Sequence, residues 1–185
     1  MGENIRDRLT RFNARQDNSI VLHAVPGHFA TSQSHINYYI DMTSLKSRSR
    51  EAREVARFLQ SASMHRIDMV DTIVCMDGTE VIGAFLAEET GKKSHFHRNM
   101  HETIYVVSPE TNSANQFLFR ENTRPAVAGK HVLLLMASIT TGETARRSLE
   151  CIEYYGGIVE GVTAIFSTKS QVGGKQVFSV FTQED

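Results

Sequence analysis

The sequence has only two cysteines and no apolar run approaching twenty residues, and its charges nearly cancel, with 20 Lys and Arg against 21 Asp and Glu. Each shortage removes a class of protein. Two cysteines, Cys75 in an apolar strand-like run and Cys151 in a helical pattern, make no disulfide scaffold and read as buried reduced thiols, which points to the cytoplasm. Without about twenty consecutive apolar residues no helix spans a bilayer, so no membrane partner is expected. A formal net charge of -1 gives no bulk attraction to nucleic acid, and any phosphate binding has to be local. The opening residues, Met1-Gly2-Glu3-Asn4-Ile5-Arg6, are charged rather than apolar, and Arg6 stands where a myristoylation signal wants Ser or Thr. Neither an internal repeat nor a low-complexity linker breaks the 185 residues, and one domain over residues 1–185 is expected.

What is present is a strand-and-helix pattern. Ile5, Leu9 and Phe12 predict a short amphipathic helix before Asp17-Asn18-Ser19. Ser19 to Val25 and Tyr38 to Met42 read as strands joined by a long polar loop, Pro26 to Asn37. Glu51 to Met64 reads as a helix with Val55, Phe58, Leu59 and Ala62 on one face. Thr72-Ile73-Val74-Cys75-Met76 is continuously apolar, the mark of a strand buried on both faces in a parallel sheet, and Val81 to Thr90 is its helix. Thr103 to Val107 and Gln116 to Phe119 read as short strands. A second crossover follows from Lys130 through Val132–Ala137 into a helix carrying Ala145, Leu149 and Ile152, and strands at Ile158 to Phe166 and Gln176 to Phe181 complete an α/β fold. Both strand-to-helix turns fall at the carboxyl edge of one sheet, where open α/β sheets bind ligands.

The turn of the second crossover, Ser138-Ile139-Thr140-Thr141-Gly142-Glu143-Thr144, carries the strongest chemical signal. Backbone N–H groups at a helix start lack intrahelical partners and sit at the positive end of the macrodipole, so hydroxyls and a glycine there suit a phosphate. A tight turn with a helix cap accounts for the same residues. Asp77-Gly78-Thr79-Glu80, at the first crossover, reads either as a Thr cap or as a second anion loop, and its two carboxylates repel phosphate unless a cation intervenes. His95, His97 and His101 have a spacing compatible with metal, which would make a metal-dependent hydrolase, but read more simply as surface or interface histidines.

An apolar strand followed by Thr-Thr-Gly-x-Thr and a helix resembles the ribose-phosphate loop of type I phosphoribosyltransferases. Gly27-His28-Phe29-Ala30-Thr31-Ser32 followed by Tyr38-Tyr39-Ile40-Asp41 is similar to the amino-terminal hood of the orotate branch. The resemblance runs, with gaps, from about Gly27 to about Ser167. It implies a mainly parallel sheet flanked by helices, with residues 1–45 as helix and hood and 46–185 as the core. It also implies transfer of ribose 5-phosphate from phosphoribosyl pyrophosphate to a base, with magnesium, by a homodimer. Ser138, Thr140, Thr141, Gly142, Glu143 and Thr144 would hold the 5-phosphate, Asp77, Gly78 and Thr79 the pyrophosphate, and Phe29, Ser32 and His35 would line a base pocket. The family's strand ends in an acidic pair that binds the ribose hydroxyls, and here those positions are Met136 and Ala137, with Glu143 the nearest acid in sequence. The family's lid over the pyrophosphate is replaced by the short Arg120-Glu121-Asn122-Thr123-Arg124-Pro125-Ala126-Val127 segment, and Ser32 stands where orotate enzymes place a base-contacting lysine. These departures leave a second expectation beside the enzyme: the same fold binding a nucleotide or phosphosugar as a silent sensor.

Overall fold

The computed structural model describes residues 9–30, 35–62, 67, 69–93 and 103–185. Strands β1 (Thr10–Ala14), β2 (Asp17–Ala30) and β3 (His35–Asp41) form an antiparallel sheet in the order β1-β2-β3. Helices α1 (Thr43–Ser47) and α2 (Ser49–Ala62) lead to β4 (Thr72–Cys75), α3 (Glu80–Lys93) and β5 (Tyr105–Val107). A small hairpin, β6 (Glu110–Thr111) with β7 (Phe117–Leu118), and a 3-10 turn at Arg124–Ala126 precede β8 (His131–Ile139) and α4 (Glu143–Tyr154). The chain ends through β9 (Ile158–Ser167), β10 (Gln171–Val172) and β11 (Lys175–Phe181).

The main sheet has the order β10-β11-β9-β8-β4-β5, and every pairing except β10 with β11 is parallel. Continuous hydrophobicity in β8 serves two cores at once, because side chains alternate across a strand. Leu133, Leu135 and Ala137 pack on one side with Ala52, Val55, Ala56 and Leu59 of α2 and Ile82 and Leu86 of α3. Val132, Leu134 and Met136 pack on the other with Ala145, Leu149 and Ile152 of α4. The first core also takes in Ala14, Ile20 and Leu22, so the amino-terminal sheet shares its apolar interior with the α/β layer.

Two expectations fail at the amino end. The segment around Phe12 is strand β1, not a helix, because Thr10 to Asn13 pair with Val21 to Ala24 across a ribbon. Cross-strand pairing outweighs a three-residue helical spacing. The long loop expected from Pro26 to Asn37 is largely ladder: β2 continues to Ala30 and β3 begins at His35, with a register shift between Pro26 and Phe29 that absorbs the missing proline donor. The Thr103 to Val107 strand shortens to Tyr105–Val107.

Candidate functional site

Parallel pairing of β4 with β8 sets Cys75 opposite Leu135, and the Met76 N–H continues the ladder to the Leu135 carbonyl at 2.8 Å. The loops that follow, 76–79 and 140–142, therefore emerge side by side at the carboxyl edge. A cavity of about 170 Å³ lies there, lined by Asp77, Met136, Ser138, Ile139, Thr140, Thr141, Gly142, Thr144 and Ala145.

Gly142 is the N-cap of α4 with φ 84°, a left-handed conformation that L side chains disfavour, and a Cβ on it would meet Val172 Cγ2 at 3.4 Å. Having no side chain, it leaves the helix start uncapped by its own residue; the Glu143 N–H reaches Thr141 Oγ1 only at 3.4 Å. The turn is held from outside, since Thr168 Oγ1 donates to the Thr140 carbonyl at 2.7 Å and the Thr168 N–H to the Ile139 carbonyl at 2.9 Å. Thus Thr140, Thr141, Gly142 and Thr144 surround a polar hollow at a helix N-terminus, which Ser138 also lines. The Glu143 side chain leaves that hollow. It accepts from Arg146 Nη2 at 2.7 Å and Nε at 3.3 Å, which lowers its carboxyl below the ordinary range, and it lines a second opening of about 300 Å³ with Thr141, Gly142, Arg146, Lys169 and Gln171.

The neighbouring loop divides its labour. Thr79 is fully buried and its hydroxyl donates to the Met76 carbonyl at 2.8 Å and the Leu135 carbonyl at 3.3 Å, so its side chain braces the loop and does not face the cavity. Asp77 and Gly78 both have left-handed backbones, with φ of 58° and 77°. Lys46 Nζ donates to the Asp77 carbonyl at 2.7 Å. The Asp77 residue lies at the surface and lines the cradle cavity beside Met136. Desolvation raises its carboxyl above the usual range, opposed by the Lys46 charge and the nearby Ala137 N–H and reinforced by Glu80. Sequence patterning had no signal for Lys46 as a brace, since it comes from α1, thirty-one residues away.

Met136 and Ala137 are 1% and 6% exposed, and neither side chain carries an oxygen. The Arg120–Val127 segment is packed rather than lid-like: Arg120 pairs with Glu110, Arg124 pairs with Glu121 at 2.7 Å and lies 5.4 Å over the Tyr155 ring, and Ala126 and Val127 are buried. Tyr155 follows the far end of α4. A twelve-residue helix is about 18 Å long, which keeps Arg124 away from the cradle. Burial pushes the Cys75 thiol up to about 12, with Glu80 adding to it, and the Cys151 thiol up to about 11, so neither is a thiolate nucleophile at neutral pH.

Of the expected base pocket, Phe29 is half-buried with its ring 5.8 Å from that of Tyr39, and the His35 backbone pairs with Ala30. Ser32 lies outside the described residues, as do His95, His97 and His101. A feature sequence reading missed is an apolar cavity of about 400 Å³ between Phe12, Leu22, Tyr38 and Ile40 of the amino-terminal sheet and Phe166 and Phe181 of the main sheet. Its signal was the alternation Leu22, Ala24 and Tyr38, Ile40. Phe166 is the register partner of Ser138, so this cavity and the cradle share one sheet edge.

Among the described residues no group of three His, Cys, Asp or Glu side chains could hold a metal, and Asp77 is the one carboxylate lining the cradle cavity. One carboxylate is a donor set that would suit magnesium only with substrate phosphates and waters completing its shell. Nor is any helix among the described residues long and apolar enough to cross a membrane.

A mainly parallel sheet with helices on both faces, an amino-terminal antiparallel sheet and a threonine-glycine turn at the carboxyl edge define the type I phosphoribosyltransferase fold. The fold is shared with solved structures at low sequence identity. Orotate phosphoribosyltransferase from Aeropyrum pernix superposes with a TM-score of 0.62 at 17% identity, covering 87% of this chain and 88% of that one. Adenine phosphoribosyltransferase from Thermoanaerobacter pseudethanolicus gives 0.58 at 14%, covering 96% and 97%. Orotate phosphoribosyltransferase from Mycobacterium tuberculosis, in its complex with 5-phospho-alpha-D-ribosyl 1-diphosphate, gives 0.58 at 15%, covering 79% and 81%. No protein-family model matches the chain, and no curated protein matches it in sequence.

Proposed function

We propose that this chain binds the ribose 5-phosphate group of phosphoribosyl pyrophosphate at Thr140 to Thr144 and transfers it to a nitrogenous base, releasing pyrophosphate, as an orotate-type phosphoribosyltransferase. The carrying observation is the Gly142 turn, which leaves a helix N-terminus open onto a hollow ringed by Thr140, Thr141 and Thr144. The fold supports this class of ligand, since the Mycobacterium tuberculosis enzyme of the same fold is described with a phosphoribosyl pyrophosphate. Catalysis in such a site is positioning together with electrostatic stabilisation of a cation-like ribosyl centre, and needs no side-chain nucleophile. The base belongs on the side of the amino-terminal sheet, with Phe29, Ser32 and His35 as its proposed pocket. A cytoplasmic homodimer completes the reading.

One observation favours a second reading, a sensor that binds without catalysis: the positions of the ribose-binding acids are the apolar, buried Met136 and Ala137. Losing two charge-assisted hydrogen bonds, at roughly 1.5–3 kcal/mol each, would cost several powers of ten if nothing replaced them. The experiment measures pyrophosphate release from phosphoribosyl pyrophosphate with magnesium and a panel of bases. Sustained release that Thr141→Val abolishes carries the transferase; saturable ribose 5-phosphate binding without release carries the sensor. Absence of both overturns the site.

A further inference from the structure

The cradle has lost its acids from β8, yet one carboxylate still lines its cavity. Glu143, the nearest acid in sequence, is spent on Arg146 and faces the outer opening. Asp77 instead reaches the same place from the adjacent strand. It follows β4, whose pairing with β8 continues through the Met76 N–H to the Leu135 carbonyl, and it lines the cavity together with Met136, one of the two positions where the acids are missing. Lys46 Nζ donates to the Asp77 carbonyl and braces the backbone of the loop that carries the carboxylate. The residue also sits at φ 58°, a conformation that glycine would adopt more cheaply and that aspartate and asparagine tolerate better than other side chains. An ionised carboxylate is an acceptor only, through both oxygens, and so can take hydroxyl donors in the cavity.

We propose that Asp77 is the ribose-binding carboxylate of this site, an acid carried by the β4 loop in place of the pair absent from β8, accepting hydrogen bonds from the ring hydroxyls of a sugar whose 5-phosphate sits on Thr140 to Thr144. The inference rests on the proposed phosphate site and adds the sugar to it: the ligand is a ribose phosphate, and its 2-hydroxyl is read. Asp77 would then mark ribose against deoxyribose where a phosphate cradle alone cannot.

Calorimetric titrations of the full chain with ribose 5-phosphate, 2-deoxyribose 5-phosphate and inorganic phosphate test it. The wild type is expected to prefer the ribose ester by about tenfold, the worth of one charge-assisted hydrogen bond. Asp77→Asn is expected to bring that preference close to one without weakening inorganic phosphate binding, since a like charge leaves the cavity. Asn suits the left-handed backbone and removes the charge at nearly constant shape; Asp77→Gly, which suits that backbone equally, serves should the Asn variant misfold. A preference that survives in either folded variant, or a wild type that binds both esters equally, overturns the role of Asp77 alone. A wild type that binds none of the three probes overturns the phosphate site, and this inference with it.

Discussion

Single residues set how closely the layers approach. Gly83 of α3 lies against β4 so tightly that a Cβ would overlap the Cys75 Sγ and stand 3.1 Å from Val106 Cγ1. Gly83→Ala is expected to cost about 1–3 kcal/mol by overpacking, and Cys75→Ala in the same chain to recover part of it, a coupling that a double-mutant cycle in urea measures. Additive losses would show that the two do not meet. Asp77 works in the opposite sense. Its carboxyl is raised above 3.8 by folding, so the penalty for its charge is absent in acid, appears as pH rises through the raised value, and is complete above it. Asp77→Asn is therefore expected to melt higher than the wild type at neutral pH, with the gap closing in acid. A stabilised variant with weakened ribose preference is the trade expected of a binding group.

At the scale of elements, hydrophobic pattern made the two crossovers legible and left the amino-terminal sheet obscure. β4 and β8 could be read because strands buried on both faces carry unbroken apolar runs, and α2 and α4 because their apolar stripes recur at helical spacing. β1 and the distal halves of β2 and β3 could not, since a ribbon with one wet face draws its stability from partners elsewhere in sequence and tolerates Ser, His and Gly. The site divides in the same way. The threonine-glycine turn is backbone chemistry written in consecutive residues, whereas the meeting of Asp77 with Met136 and Thr140 around one cavity joins residues distant in sequence and becomes visible only with the β4–β8 register in hand. Ile20 tests whether the amino-terminal sheet is a separate unit. It is 1% exposed and belongs to the core shared with α2 and β8, so Ile20→Ala is expected to cost about 2–5 kcal/mol and lower one cooperative calorimetric transition. An early transition confined to part of the enthalpy would show an amino-terminal sheet that unfolds by itself.

For the whole molecule, the architecture gathers its ligand chemistry on one sheet edge. The opposite edge is closed by the packed Arg124–Ala126 turn, the Gly129–Gly156 backbone contact and the Arg124–Tyr155 stack. The carboxyl edge instead carries two left-handed loops, an open helix N-terminus and the apolar cavity beside Phe166. This asymmetry is the physical basis of the functional reading, and amide chemical shifts during titration with ribose 5-phosphate examine it most directly. Saturable shifts are expected, centred on the amides of Thr141 to Ala145 with a second group at Asp77 and Gly78, and lost in Thr141→Val. Shifts confined to the Phe166 cavity or the Arg124 edge, or a spectrum that ribose 5-phosphate leaves unchanged, would contradict it.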